Sequence, residues 1–468
     1  MVLLRSLSLD EQAGSSLLPP PGPGAETDAQ SPQGSGHEGK AEEDSLPRPP
    51  PEEPCGSFLP DQCIKLVQGQ LIANEAPGVA LLHLLSMASV CKQWRQLASE
   101  LASGTAIAFD GFDNKFSCQL SVQKFRRLQP AQKEQVFHGA AKLLTGYTDV
   151  LLSGDGISDR VLQEVALKAG TKIVLAKVQS SSSLTDAGLC SFVTHSRALE
   201  TLEIDDLSKQ VNGKFLTMLF ENCDKLQHLH LSNIPQLNWT MCKEAALRWS
   251  EKSLTKLHVR GVNLDVEFGV IISRLPHLRE LEIDGPARNI KAASIHCPLL
   301  HRVSYQMQSR ALLDEALAAL GSLKELRQLE LIVKHFTLCT EQLRTIGMLP
   351  LTELRLDSFI YKQQPTLSRS SYSHVDNEGV KALVDSICNR WCAIMSEMRP
   401  LKLSLCGATA LTHDAVSALL RLPILTELDI GGCCRIIAMD KMRLVAKVRA
   451  GLMLCPNMRS ARFPGLVM

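Results

Sequence analysis

What most constrains this chain is a ladder. From residue 147 to near residue 463, apolar side chains return in the frame L-x-x-L-x-L about every 26 positions. The rungs are Tyr147/Val150/Leu152, Ile173/Ala176/Val178, Leu199/Leu202/Ile204, Leu226/Leu229/Leu231, Leu254/Leu257/Val259, Leu278/Leu281/Ile283, Leu300/Val303/Tyr305, Leu326/Leu329/Leu331, Leu351/Leu354/Leu356, Met398/Leu401/Leu403, Leu425/Leu428/Ile430 and a weaker Met458/Ala461/Phe463. Successive first places are 26, 26, 27, 28, 24, 22, 26, 25, 47, 27 and 33 residues apart. In each rung the fourth and sixth residues stand two apart, on one face of a short strand, and the first turns inward just ahead of it. One such unit cannot close a core. Stacked units bury these side chains against their neighbours and line their strands up as a parallel sheet on the inner wall of a horseshoe. The expected fold is an α/β repeat solenoid of about 11–12 units over residues 147–468, not a globular enzyme domain.

A second phrase recurs after several strands: Ile157-Ser158-Asp159-Arg160-Val161-Leu162, Leu184-Thr185-Asp186-Ala187-Gly188-Leu189, Val375-Asp376-Asn377-Glu378-Gly379-Val380 and Leu411-Thr412-His413-Asp414-Ala415-Val416. Ser, Thr or Asp at its second place can cap a helix, because a side-chain oxygen accepts one of the unpaired backbone N–H groups at the helix start. Each unit therefore reads strand, loop, helix. With a period near 26, the LTDAGL phrase, and cysteine at the ninth place of the Met398 and Leu425 units (Cys406 and Cys433), the array resembles the cysteine-containing subclass of leucine-rich repeats. The middle units carry other residues at that place, so their loops are expected to be irregular. The 47-residue step holds one unit with two insertions, a polar, Ser-rich loop at 361–373 and a second around Cys388 to Glu397.

A formal net charge of +1 favours neither nucleic acid nor an anionic membrane as partner, and no apolar run reaches the 18 or more residues of a membrane helix. The 15 cysteines are scattered without a CxxC pair or zinc-ligand spacing. Met1 to Leu9 is interrupted by Asp10 and Glu11, short of a secretory signal. Reduced thiols and a cytoplasmic or nuclear location are the expectation. Residues 1–57 hold ten acidic against three basic residues and ten of the 23 prolines, a composition that cannot bury enough apolar area to offset chain ordering, so a disordered tail is expected.

Between tail and ladder, residues 58–101 begin Leu59-Pro60-Asp61-Gln62-Cys63-Ile64 and end Val90-Cys91-Lys92-Gln93-Trp94-Arg95-Gln96-Leu97-Ala98. Pro60 fits the first turn of a helix. Ile64, Val67 and Leu71 recur at helical spacing, as do Val90, Trp94 and Leu97. An LP near the start and VCKQWRQLA near the end resemble an F-box, the small helical module by which a receptor docks on the Skp-family adaptor of a cullin-RING ubiquitin ligase. An F-box followed by leucine-rich repeats is the layout of a known receptor family. The resemblance implies that Leu59, Pro60, Ile64, Leu84, Val90 and Trp94 face the adaptor. From Leu59 to Cys91 is 32 residues, about eight more than the family spacing, an insertion that falls near Ile72 to Gly78. Residues 102–146 read as a helical connector or a degenerate first repeat.

Residues between the inward positions face the inner surface, so the fifth place of each rung forms a row: Lys177, Glu203, His230, His258, Glu282, Ser304, Glu330, Arg355, Lys402 and Asp429. With the third and seventh places added, His228, His230, Lys256, His258 and Arg260 make a basic zone, and Glu280, Glu282 and Asp284 an acidic one beside it. His230, His258, Arg260, Glu280, Glu282, Asp284 and Arg355 are the candidate partner-binding residues. The change of sign suits orientation of a charged partner, while solvated solenoid faces carry charges in any case. His230 and His258 fall on adjacent strands about 5 Å apart. No third metal ligand is evident there, so neither metal nor cofactor is expected. HExxH, G-x-S-x-G and the phosphate-cradling G-x-x-x-x-G-K-[ST] are all missing. Two readings stand: a non-catalytic substrate-recognition subunit of a Skp/cullin/F-box ubiquitin ligase, and a leucine-rich scaffold or inhibitor whose N-terminal helices are a cap.

Overall fold

Thirteen parallel strands among the described residues, each a few residues long, run one after another in chain order in the computed structural model. It describes residues 106–110, 129–143, 147–207, 209–242, 254–307, 309–310, 312–333, 336–358, 374–393, 399–431, 457–463 and 466–467. All of these belong to the compact unit Ala76–Met468. The tail at 1–57, the segment at 58–101 with its six adaptor-facing candidates, and the 361–373 insertion lie outside the described residues.

The strands are β1 (Ala106–Asp110), β2 (Asp149–Ser153), β3 (Leu175–Ser181), β4 (Thr201–Leu207), β5 (His228–Ser232), β6 (Lys256–Arg260), β7 (Glu280–Asp284), β8 (Arg302–Met307), β9 (Gln328–Val333), β10 (Glu353–Ser358), β11 (Leu401–Ser404), β12 (Leu425–Asp429) and β13 (Ser460–Phe463). A short β14 (Leu466–Val467) turns back antiparallel on β13. Among the described residues they form one sheet in sequence order, so each unit contacts chiefly the units before and after it. The helices between strands are α1 (Pro130–Leu143), α2 (Asp159–Ala169), α3 (Asp186–His195), α4 (Lys214–Asn222), α5 (Val266–Ile272), α6 (Ala287–His296), α7 (Leu313–Gly321), α8 (Thr340–Gly347), α9 (Asn377–Ala393) and α10 (His413–Leu419). This parallel-strand repeat solenoid fits the leucine-rich-repeat architecture.

The register explains the ladder. Leu202 pairs with Leu229, Leu229 with Leu257, Leu257 with Leu281 and Leu281 with Val303, so fourth places stack on fourth places and sixth on sixth. Every first, fourth and sixth residue from Tyr147 to Leu356 is buried, none more than 4% exposed. Intervening residues are half-exposed in β2 and β6, the alternation a one-sided strand demands, and largely buried in β8 and β9. Upstream of the ladder, Ile107 and Phe109 of β1 pair with Val150 and Leu152, extending the same frame one unit.

One rung sits two residues from its expected place. Leu354 pairs with Leu403, and Leu403 with Leu428, so Leu403 and Leu405 hold the fourth and sixth places and Pro400 the first. Leu401, Leu403 and Leu405 are all buried and alternate, so a slip of two keeps every side chain on its face. Pro400 is exposed and offers the pattern no apolar first residue, which is why the sequence frame settled on Met398. A bulge between Leu401 and Lys402 absorbs the mismatch with β12. Ser404 therefore takes the fifth place and Lys402 the third, and Cys406 stands at the seventh place instead of the ninth. The second insertion of the long step continues α9 to 17 residues, where the other inter-strand helices after β2 span 7–11.

All four helix phrases start helices. Ser158, Thr185 and Thr412 accept from Val161 N, Ala187 N and Asp414 N, and Asp376 Oδ1 accepts from Gly379 N at 2.7 Å. The acid after the cap reaches into the next unit. Asp159 binds Thr185 through its backbone N–H at 2.9 Å and its hydroxyl at 2.6 Å. Asp186, 8% exposed, accepts from the backbone of Asn212, Gly213 and Phe215, the turn that starts α4. Gly213 has φ +102° there, a left-handed conformation that favours glycine. Each clasp leaves fewer orphan N–H groups at a helix start and locks neighbouring units together.

Candidate functional site

Because the leucines point into the core, the third, fifth and seventh places form the opposite face of the sheet, mostly polar and interrupted by Leu151, Leu175 and Ile332. The predicted basic and acidic zones lie face to face on β5–β6 and β7, and register brings their charges into pairs. Lys256 Nζ sits 2.9 Å from Glu280 Oε1. Arg260 forms an ion pair with Glu282 through Nε, and its Nη2 donates to Ser304 Oγ at 2.9 Å. Ser304 in turn donates to Glu330 Oε2 at 2.6 Å, with Arg260 Nη2 3.9 Å from the same oxygen. One guanidinium thus ties four strands, β6 to β9, and neutralises carboxylates that are themselves largely buried. Burial alone would raise the Glu280 carboxyl, but the Lys256 hydrogen bond and charge outweigh it and hold it below the usual range.

His230 and His258 meet as register dictates, ring centroids 5.6 Å apart and edge to face. His230 Nε2 lies 3.2 Å from Ser232 Oγ, which donates to Asp205. His228 Nδ1 lies 3.2 Å from Thr201 Oγ1, and His258 Nδ1 4.0 Å from Glu282 Oε2. Burial holds His258 below its ordinary range, and His230 adds to the effect against the pull of Glu282; burial and then Lys256 do the same at His228. Among the described residues no group of three or more His, Cys, Asp or Glu side chains converges tightly enough to hold a metal ion.

Two candidates fall elsewhere. Asp284 is 7% exposed and accepts from Gly261 N at 2.9 Å and from the Gln306 amide, so it braces the loop after β6. Arg355 lies four strands from β6, beside Asp357 at 3.6 Å, on a separate groove of about 350 Å³ over β10–β13. Small Ser404 and Ser460 line that groove, with Glu353, Lys402, Glu427, Asp429 and Arg462 around them. Lys402–Glu427 at 2.8 Å and Arg462–Asp429 at 3.8 Å are its exposed ion pairs. Sequence reasoning missed the groove because Lys402 was assigned to the fifth place and the last rung was weak; Ala461, paired with Leu428, was the available signal.

No family model matches the chain, and no curated protein matches it significantly. Among solved structures, one similar chain belongs to the crystal structure of the Rad7 and Elc1 complex in yeast, at 16% identity and a TM-score of 0.38, covering 74% of this chain and 92% of that one.

Proposed function

We propose that this protein is the substrate-recognition subunit of a Skp/cullin/F-box ubiquitin ligase, docking on a Skp-family adaptor through residues 59–94 and holding its substrate on the wall of β2–β13. The observation that carries the reading is a pair of independent features in the order such a receptor requires: the LP…VCKQWRQLA phrase, then a repeat stack whose apolar side chains are spent on the core and whose polar side chains line one open face. A wall of that kind binds by complementarity and performs no chemistry. In the ligase it contributes proximity, bringing a substrate lysine near a conjugate whose reactive groups belong to other subunits.

The test is co-expression of the full chain with a Skp-family adaptor. A stable complex that Leu59→Ala with Pro60→Ala weakens is the expected result. If the purified chain stays alone with adaptor in excess, the protein is a leucine-rich scaffold or inhibitor.

A further inference from the structure

Three histidines share one patch of the wall, and four of the five carboxylates around them are already engaged. On β4, Glu203 is paired with Lys177 at 2.8 Å, and Asp205 accepts from the Ser232 hydroxyl and the Asn233 amide; Glu200 lies just ahead of that strand. On the other side Glu280 is paired with Lys256 and Glu282 with Arg260, while Arg302 of β8 adds a further cation. With the imidazoles neutral, these five carboxylates outnumber the four cations, Lys177, Lys256, Arg260 and Arg302, by one. Once that surplus is offset, further protons taken up by His228 and His258 add positive charge that the engaged carboxylates do not answer. His230 and His258 are 5.6 Å apart, close enough for one carboxylate to approach both rings.

We infer that the β5–β6 patch is an acid-switched docking site for a carboxylate-bearing segment of a partner protein, weak when His228 and His258 are neutral and tight when they are protonated. Burial and facing cations keep His228 and His258 neutral at pH 7, so the switch operates below the ordinary imidazole range. A bound carboxylate favours the charged imidazoles, and by linkage its affinity rises as protons are taken up. The inference rests on the inner wall being the partner surface and not on adaptor binding.

A fluorescent hexaglutamate peptide titrated against the full chain from pH 7.5 to 5.5 tests it. Glutamate, with a pKa near 4.3, stays ionised over that range. The expected result is binding about tenfold tighter at pH 5.5, the gain of roughly one proton bound per unit of pH below the imidazole range. His228→Gln with His258→Gln removes most of that gain, His258→Gln alone part of it, and a hexaglutamine peptide shows none. Circular dichroism at both pH values verifies that each variant is folded. No tightening in the natural chain, or a gain that survives the double substitution in folded protein, overturns the inference. Neither outcome bears on the adaptor complex, which is read separately through Leu59 and Pro60.

Discussion

His374 should make the stack sensitive to acid. It is 3% exposed where the chain enters the turn before α9, its Nε2–H donates to Leu356 O at 2.7 Å, and its own carbonyl accepts from Leu338 N at 2.9 Å. Its Nδ1 is buried with no hydrogen-bond partner among the described residues. Burial lowers its pKa to about 4 from 6.5, the Leu356 bond opposing only partly. The unfolded chain therefore binds more protons than the folded one between those values, and stability is lost as pH falls through that window. At about 1.4 kcal/mol per pKa unit, the linkage removes roughly 2 kcal/mol by pH 5 and about 3 kcal/mol by pH 4, with almost nothing lost above pH 7.5. Urea unfolding of the natural chain and of His374→Gln at pH 7.5, 6 and 5 isolates the term. The natural chain should lose stability relative to the variant by that amount, whatever the variant costs at neutral pH. Hydrogen exchange in α9 supplies a local readout, since repeat arrays open in parts. A difference between the two proteins that does not change with pH refutes the reasoning.

Other substitutions probe other parts of the account. Asp186→Ala strips the acceptor from three backbone N–H groups of the following unit and should cost about 3 kcal/mol in chemical denaturation, with exchange rising first in α4. Asn289 is fully buried in α6 with neither end of its amide hydrogen-bonded among the described residues, so Asn289→Leu should leave the melting temperature unchanged or raise it, by about 1 kcal/mol of stability. Burial pushes the Cys297 and Cys406 thiols up to about 12, whereas Cys392 is exposed. Native alkylation followed by mass spectrometry should therefore label Cys392 well before the other two.

How much of this was legible in the sequence follows from what period and spacing encode. The frame of buried leucines is a repeat statement, and it located β2 to β10 and β12 because each rung supplies apolar residues at all three inward places. At 400–405 the first place is proline and three leucines alternate after it, so two frames fit and only pairing with Leu354 and Leu428 decides between them. The helix phrases gave the caps but not the clasp, since the reach of Asp159 and Asp186 into the next unit is a lateral contact with no local signature. The same holds on the wall. The basic and acidic zones were visible as rows, but the cancellation of Lys256 by Glu280 and of Arg260 by Glu282 needs the strands side by side. Asp284 shows the converse: its place in the row was right, and a loop N–H claimed its carboxylate.

One frame, continuing through the interruption after β10, organises both the core and the wall. An experimental structure of the full chain resolving side chains from β9 to β12 tests it most directly. Leu354, Leu403 and Leu428 should stand side by side, with Ser404 between Arg355 and Asp429. Finding Leu401 beside Leu354, with Lys402 between Arg355 and Asp429, would contradict it.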